Sequence, residues 1–186
     1  TGLVNGVLRR VVEHEHVLPQ GDTLDALSVV TSLPVWILAQ LQTRFGTEHL
    51  REEALGLKSR AETTVRPTLH RGGFEALVTS LALDGFVAEH RAYGAAHVSG
   101  PGDPFASKAF KAGLFTPQDP ASLAVVEFMD VSPQQTVLDL CAGRGVKATA
   151  LADRGAKVVA VDVDGRKLKA ALGLARRLGV EESLTV

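Results

Sequence analysis

Apolar residues recur at helical spacing over much of the first half of the chain. One broad apolar stripe over residues 2–12 predicts an amphipathic helix. Its members are Leu3, Val4, Val7, Leu8, Val11 and Val12. Helical patterns also cover residues 35–45 and 47–57, and Gly46 between them predicts a short helical hairpin.

Polar residues at the starts of these two helices are candidate caps. Ser32 is the expected N-cap of the helix over residues 35–45, and Thr47 is the expected N-cap of the next helix. Trp36 could stack on a nucleobase, but its apolar neighbours predict a place in the core.

The middle of the chain mixes strand and helix patterns. Residues 61–69 are predicted to be extended, and residues 73–84 to form a helix that stops at Gly85. Residues 86–97 are predicted to form one or two strands with a break at Gly94. Together these elements predict a small α+β module.

The last third of the chain alternates regularly between helix and strand. Asp119 is the expected N-cap of a helix over residues 120–129 that begins with Pro120. Further helices are predicted at residues 146–153 and 166–178, and strands at 136–141, 157–162 and 181–186. This alternation predicts an α/β fold, a partial doubly wound Rossmann-like sheet with parallel strands. So few strands are expected to leave exposed edges and one uncovered face.

Composition narrows the function classes. The 186 residues include 20 basic and 21 acidic side chains, so no general basic excess indicates nucleic acid. The single cysteine, Cys141, excludes an intrachain disulfide and a cysteine-based zinc cluster. His14 and His16 have no evident third ligand, so no metal site is predicted. With no transmembrane or secretory pattern in the sequence, we expect a cytoplasmic protein.

A glycine-containing loop joins a predicted strand to a predicted helix. Gly143 and Gly145 let the backbone approach a ligand, and the helix N-terminus offers free N–H groups. Asp162, at the end of the next strand, is placed to accept hydrogen bonds from ribose hydroxyls. The sequence therefore predicts a nucleotide-type cofactor site at the carboxyl edge of the sheet.

The identity of this cofactor depends on Asp139. The spacing Gly143-x-Gly145-x-x-Ala148 also satisfies the dinucleotide-binding pattern, so a nicotinamide-dependent domain stays open. A carboxylate just before the loop favours the cationic amino-acid end of S-adenosylmethionine, because it would repel a pyrophosphate. The alternative is that Asp139 is a surface carboxylate or a helix cap.

Four segments resemble a known family. Residues 139–147 resemble the Asp-Leu-Cys-Ala-Ala-Pro-Gly-Gly-Lys signature of the RNA 5-methylcytosine methyltransferases, and residues 113–122 resemble their upstream Gly-x-x-x-x-Gln-Asp-x-x-Ser element. Ser32-x-Pro34-x-Trp36 resembles the bacterial Sun-type branch, which methylates small-subunit ribosomal RNA. Residues 2–9 resemble the last helix of that branch's NusB-like domain.

The resemblance implies three regions. Residues 1–30 would end a helical NusB-like RNA-binding domain, and residues 31–112 would form a helical hairpin with a small α+β RNA-binding module. Residues 113–186 would form the N-terminal half of the methyltransferase domain. The implied partner is structured RNA, with ribosomal RNA as the implied substrate, and Arg66 is a weak candidate for phosphate contact.

The resemblance also implies a cofactor, S-adenosylmethionine, and a set of residues that contact it. These residues are Asp139, Cys141, Ala142, Gly143, Gly145, Lys147 and Asp162. Lys147 could lie near the cofactor carboxylate or be solvated. The loop departs from the family pattern at Arg144, Val146 and Ala148, which stand where the family has Pro, Gly and a hydroxyl residue.

No catalytic residue is predicted within the chain. The family uses a cysteine thiolate to attack C6 of cytosine and a second cysteine to release product. Both lie in Pro-Cys motifs downstream of the region present, so we expect a truncated chain with little turnover. Cys141 matches a loop position and is expected to be a small packing residue. A non-catalytic RNA- or protein-binding segment is the alternative.

Overall fold

The computed structural model describes residues 2–13 and 18–186, and its contacts divide the chain into two compact units. The first comprises residues 1–61 and the second residues 62–186. This division does not coincide with the predicted boundaries after residues 30 and 112, which stay predictions. The predicted helical hairpin thus belongs with the preceding helix.

The described residues of the first unit form four helices. They are α1 (Gly2–Glu13), α2 (Leu24–Thr31), α3 (Val35–Phe45) and α4 (Thr47–Lys58). Leu27 of α2, Leu38 of α3 and Leu50 of α4 are fully buried against one another. The predicted helices are confirmed here, whereas α2 was not predicted.

Three predictions about this unit are wrong. Ser32 ends α2 in a left-handed conformation (φ 60°) and does not cap α3, which Pro34 precedes without a side-chain cap. Thr47 lies inside α4, whose N-cap is Gly46. Trp36 is 62% exposed and not part of the core, because the buried face of α3 is the one that carries Leu38.

The helix α1 carries the predicted apolar stripe, and the stripe is exposed. Its six apolar side chains have exposed fractions between 48% and 85%. Within the described residues no single helix is long and apolar enough to cross a membrane. The helices α2 and α3 pass that test only as a pair, and they are bent by 114° at their junction.

The second unit begins with a four-stranded antiparallel sheet. Its elements are β1 (Thr64–Pro67), α5 (Gly73–Leu83), β2 (Val87–His90), β3 (Ala96–Ser99), α6 (Lys108–Lys111) and β4 (Phe115–Pro117). The strand order is β2-β3-β1-β4. Because β4 pairs with β1, with Arg66 opposite Thr116, a boundary after residue 112 would divide this sheet.

A three-stranded parallel sheet follows in the same unit. Its elements are α7 (Pro120–Phe128), β5 (Thr136–Asp139), α8 (Val146–Asp153), β6 (Lys157–Ala160), α9 (Gly165–Leu178) and β7 (Leu184–Thr185). The order β5-β6-β7 and the parallel pairing confirm the predicted α/β alternation. Alternate strand residues, among them Val137, Val158 and Leu184, form one core with α7, α8 and α9.

The other face of the parallel sheet carries exposed apolar side chains. Leu138 of β5 is 58% exposed, and Val159 of β6 is 37% exposed. Val161, just beyond β6, continues this apolar surface. Such a face fits the predicted partial sheet, since parallel sheets are ordinarily covered on both faces.

The two sheets of this unit are joined through Gly113 and the end of α9. Gly113 has φ 73°, and a Cβ there would lie 1.9 Å from the carbonyl oxygen of Arg177. Arg177 donates hydrogen bonds to the carbonyls of Phe110 (2.9 Å) and Phe115 (2.8 Å). Its guanidinium also lies 3.9 Å from the centre of the Phe110 ring. Desolvation by burial lowers the pKa of Arg177.

Candidate cofactor site

The loop between β5 and α8 remains bonded to the end of β6. The Val161 N–H donates to the Asp139 carbonyl (2.8 Å), and the Ala142 N–H donates to the Val161 carbonyl (3.0 Å). A further bond from the Gly145 N–H to the Ala142 carbonyl (2.8 Å) closes a tight turn before α8. The loop backbone is therefore held in place at the carboxyl edge of the parallel sheet.

The two loop glycines have different surroundings. Gly143 and Gly145 both have positive φ, 57° and 75°. A Cβ at Gly145 would lie 2.6 Å from the Cβ of Ala171 on α9, whereas a Cβ at Gly143 would meet nothing within 4 Å. Gly145 thus permits the close packing of α8 on α9, while Gly143 borders open space.

Asp162 holds the loop. Its Oδ2 accepts the Gly143 N–H (2.9 Å), and its Oδ1 accepts the Asp164 N–H (2.9 Å) and lies 3.7 Å from Nζ of Lys167. The side chain is only 9% exposed. The Asp164 N–H, the Gly143 N–H and the Lys167 charge lower the pKa of Asp162, and this carboxylate is ionised at neutral pH.

This loop contact was not predicted from the sequence, which suggested only ribose binding for Asp162. The two roles are compatible. An ionised carboxylate offers about four acceptor positions, and the two backbone N–H groups occupy one on each oxygen. Ribose recognition by Asp162 therefore stays a prediction.

The other predicted site residues surround the same loop. Oδ1 of the half-buried Asp139 accepts the Cys141 N–H at 3.3 Å. Ala142 is buried and Lys147 is exposed. Cys141 is exposed, so the expectation of a buried packing cysteine is wrong. Its side chain lies on the free surface of the loop because the loop contacts β6 through its backbone.

The helix α8 begins at the loop without a side-chain cap. The first N–H groups of a helix have no partner within the helix and carry the positive end of its dipole. The start of α8 therefore presents donors beside Gly143, as the sequence predicted.

The structure contradicts the predicted role of Arg66 as a surface contact for phosphate. Arg66 is 4% exposed, and its guanidinium donates to Gln118 (2.8 Å), Asp153 (3.2 Å) and Thr149 (3.1 Å). The side chain points from β1 into the junction with α8. Charge and position in the sequence alone did not distinguish this buried contact from a solvated arginine.

The upstream motif over residues 113–122 has a structural explanation. Gly113 admits the end of α9, and Gln118 is buried and accepts the Nε–H of Arg66. The Asp119 side chain accepts the Ala121 N–H (2.8 Å) and so caps α7, as predicted. Ser122 receives a long bond (3.4 Å) from the Gln118 amide. The motif thus joins the two sheets.

The part of the chain that the structure describes contains no group of His, Cys, Asp and Glu side chains that could hold a metal ion. His14 and His16 lie outside the described residues.

Comparisons with known proteins give one family and one fold. The chain is 32% identical over 184 residues to ribosomal RNA small subunit methyltransferase B of Thermus thermophilus; the match covers 96% of this chain and 37% of that protein. The chain therefore spans well under half the length of this relative. No family model matches the chain.

Solved structures share the fold at lower sequence identity. The crystal structure of the protein PH0851 matches 96% of this chain and 41% of that one, with a TM-score of 0.81 and 23% identity. NSun6 from Pyrococcus horikoshii, solved with SFG, matches 82% of this chain and 64% of that one, with a TM-score of 0.71 and 14% identity.

Proposed function

Because the chain belongs to the family of ribosomal RNA small subunit methyltransferase B, we propose that its loop over residues 139–147 binds S-adenosylmethionine. The methyl group would go to C5 of a cytosine in ribosomal RNA. The observation that carries the cofactor proposal is the arrangement of Asp139, Gly143 and Asp162 around the start of α8.

The residues present fit this cofactor. Gly143 borders open space, so a ligand can approach the loop backbone. Asp162 keeps acceptor capacity beyond its two backbone bonds, enough for two ribose hydroxyls. One Asp139 oxygen accepts a single loop N–H, which leaves the carboxylate able to accept from an ammonium group. The NSun6 structure solved with SFG, an analogue of S-adenosylmethionine, supports the same proposal.

Each residue has a separate task in the bound state. The cofactor supplies an electrophilic methyl group on a sulfonium centre. Asp139 pairs with the ammonium of the amino-acid end, and the N–H groups at the start of α8 face its carboxylate. Asp162 binds the ribose while it holds Gly143 in place. Lys147 is exposed in the first turn of α8, where it can add positive charge near the cofactor carboxylate.

The cytosine specificity rests on the resemblance over residues 113–122 and 139–147. Methylation at C5 requires a thiolate that adds to C6 of the base. Cys141 lies in the cofactor loop, so we do not propose it as that nucleophile. Replacing Cys141 by Ala is expected to change S-adenosylhomocysteine affinity by less than about threefold, since the contact that Asp139 receives comes from the backbone N–H.

The cofactor proposal is tested by calorimetric titration of the 186-residue chain with S-adenosylhomocysteine and, separately, with NAD. We expect S-adenosylhomocysteine to bind and NAD not to bind. Binding of NAD alone would replace the methyltransferase proposal with a nicotinamide-dependent one.

Ribose recognition is tested by pairing a ligand change with a protein change. The 2′-deoxy and 3′-deoxy analogues should each bind the wild-type chain about tenfold more weakly than S-adenosylhomocysteine does, because each analogue lacks one hydroxyl that would donate to the charged carboxylate. In Asp162→Asn this penalty should shrink. Asp164→Asn is the matched control, because Asp164 caps α9 and Asn also serves as an N-cap. An equal penalty in all three proteins would remove Asp162 from ribose recognition.

RNA binding is tested with labelled small-subunit ribosomal RNA at two salt concentrations. If binding is specific, an unlabelled competitor of the same sequence should displace the labelled RNA, and an unrelated RNA should displace less of it. RNA binding without any S-adenosylhomocysteine binding would favour the non-catalytic RNA-binding alternative.

A further inference from the structure

Arg66 is the centre of a buried polar cluster between the antiparallel sheet and α8. Its Nε, Nη1 and Nη2 atoms donate to Gln118, Asp153 and Thr149. The Asp153 side chain is 1% exposed and Thr149 is fully buried. Desolvation by burial lowers the pKa of Arg66 to about 10, with Asp153 acting in the opposite direction, so the guanidinium is charged at neutral pH.

Stability alone is a poor explanation for this cluster. A buried ion pair loses hydration on both partners, and apolar residues of similar volume often stabilise a protein as well or better. A guanidinium differs from other cations in its planar, fixed arrangement of five donors. What Arg66 adds is therefore geometry: Gln118 after β4 and two acceptors on α8, Thr149 and Asp153, are held at fixed positions around one plane.

The cluster holds α8 at both ends. Near its start, the Thr149 hydroxyl that receives Arg66 also donates to the Val146 carbonyl (3.1 Å), in the first turn after the loop. At its last residue, Asp153 accepts the N–H groups of Leu69 (2.8 Å) and His70 (3.3 Å) from the segment after β1. The helix that begins at the cofactor loop is thus fixed to the antiparallel sheet.

We propose that Arg66 is a positioning residue for the cofactor loop, acting through Thr149 and the first turn of α8. Through this residue the antiparallel sheet and the loop over residues 139–147 move as one body. The inference rests on the proposed function in so far as the loop binds S-adenosylmethionine. The position of the loop itself can be tested without any ligand.

The test uses Arg66→Lys in the full chain. Lysine keeps a positive charge beside Asp153, but its single ammonium cannot reach Gln118, Asp153 and Thr149 in the same plane. Arg91→Lys is the control: Arg91 lies just after β2 and is also ion-paired, but with Glu62 (2.8 Å) and Glu89 (3.3 Å), away from α8. Both variants are compared with wild type by amide NMR without ligand and by S-adenosylhomocysteine titration.

We expect the Gly143 and Gly145 amide signals to move in Arg66→Lys and to stay in place in Arg91→Lys. Cofactor affinity should fall about tenfold in Arg66→Lys only. A folded Arg66→Lys protein with wild-type loop signals would overturn the inference, whether or not the wild type binds cofactor. A wild type that binds no S-adenosylhomocysteine, with loop signals that still move in Arg66→Lys, would instead count against the proposed function alone.

A second variant covers the case in which Arg66→Lys does not fold. Arg66→Met combined with Asp153→Leu removes both buried charges and leaves neither unpaired. The positioning role predicts displaced loop signals in this folded double variant. Unchanged Gly143 and Gly145 signals there would also overturn it.

Discussion

Replacing Gly145 by Ala tests the close packing of α8 against α9. Gly145 has φ 75°, and the added Cβ would lie 2.6 Å from the Ala171 Cβ and 3.2 Å from the Ala171 Cα. The left-handed conformation costs an alanine about 1–2 kcal/mol, and a contact this short adds about 1–3 kcal/mol because a helix must shift. Unfolding free energy should therefore fall by about 2–5 kcal/mol.

Gly143→Ala is the matched control in the same loop. Gly143 also has a positive φ (57°), but its Cβ would meet nothing within 4 Å. Only the conformational cost applies, about 1–2 kcal/mol. Gly145→Ala should therefore lower the unfolding free energy by about 2 kcal/mol more than Gly143→Ala does, which corresponds to about 4–8 °C in Tm for a chain of this size.

The assay is urea denaturation of both variants, together with Ala171→Gly and the Gly145→Ala/Ala171→Gly double variant. Ala171→Gly alone should cost about 1 kcal/mol in helix propensity. In the Gly145→Ala background, Ala171→Gly should cost less than this or should stabilise the chain, because it removes the Ala171 Cβ that the new Cβ at position 145 would contact. Equal destabilisation by Gly145→Ala and Gly143→Ala, with no coupling to Ala171, would refute the packing argument.

Three further predictions concern the surroundings of the site. Asp119→Ala should lower the unfolding free energy by about 1 kcal/mol, since it removes the cap of α7, and Asp119→Asn should retain most of the stability in the same urea assay. Gly113→Ala should lower Tm by about 4–20 °C, because its Cβ would lie 1.9 Å from the Arg177 carbonyl oxygen. Gly102→Ala, with φ 87° and open space, should lower Tm less. The pKa of Asp162 is lowered in the folded chain, so the ionised carboxylate stabilises the fold fully above the unfolded pKa of about 3.9, and this stabilisation is lost as pH falls through the lower folded pKa. Carbon-13 NMR should therefore show that Asp162 titrates at a lower pH than an ordinary aspartate. Titration at the ordinary value would contradict the loop contacts.

Much of the fold could be predicted because its signals are local. The alternation of apolar runs and glycines after Asp119 predicted β5, α8, β6 and α9, and the structure confirms them. The N-cap at Asp119 was likewise predicted from its place before Pro120. By contrast, α2 lacks a clear periodic pattern, and Ser32, which resembles an N-cap in sequence, ends α2 in the structure.

Contacts between distant segments could not be predicted. Arg66 and Asp153 are far apart in sequence, and neither residue type indicates burial by itself. The pairing of β4 with β1 likewise depends on register between distant strands, which no local pattern in the sequence indicates. At the candidate site, the sequence predicted the residues around the loop but not that Asp162 bonds to Gly143.

The central proposal is that the loop between β5 and α8 binds S-adenosylmethionine. The most direct measurement is an amide NMR titration of the chain with S-adenosylhomocysteine. Cofactor binding at this loop predicts saturable shifts concentrated at residues 139–147 and at Asp162. The Gly143 shift should be among the largest, because its N–H already bonds to the carboxylate that would receive the ribose. Saturable shifts that fall elsewhere, or no shifts at millimolar ligand, would contradict it.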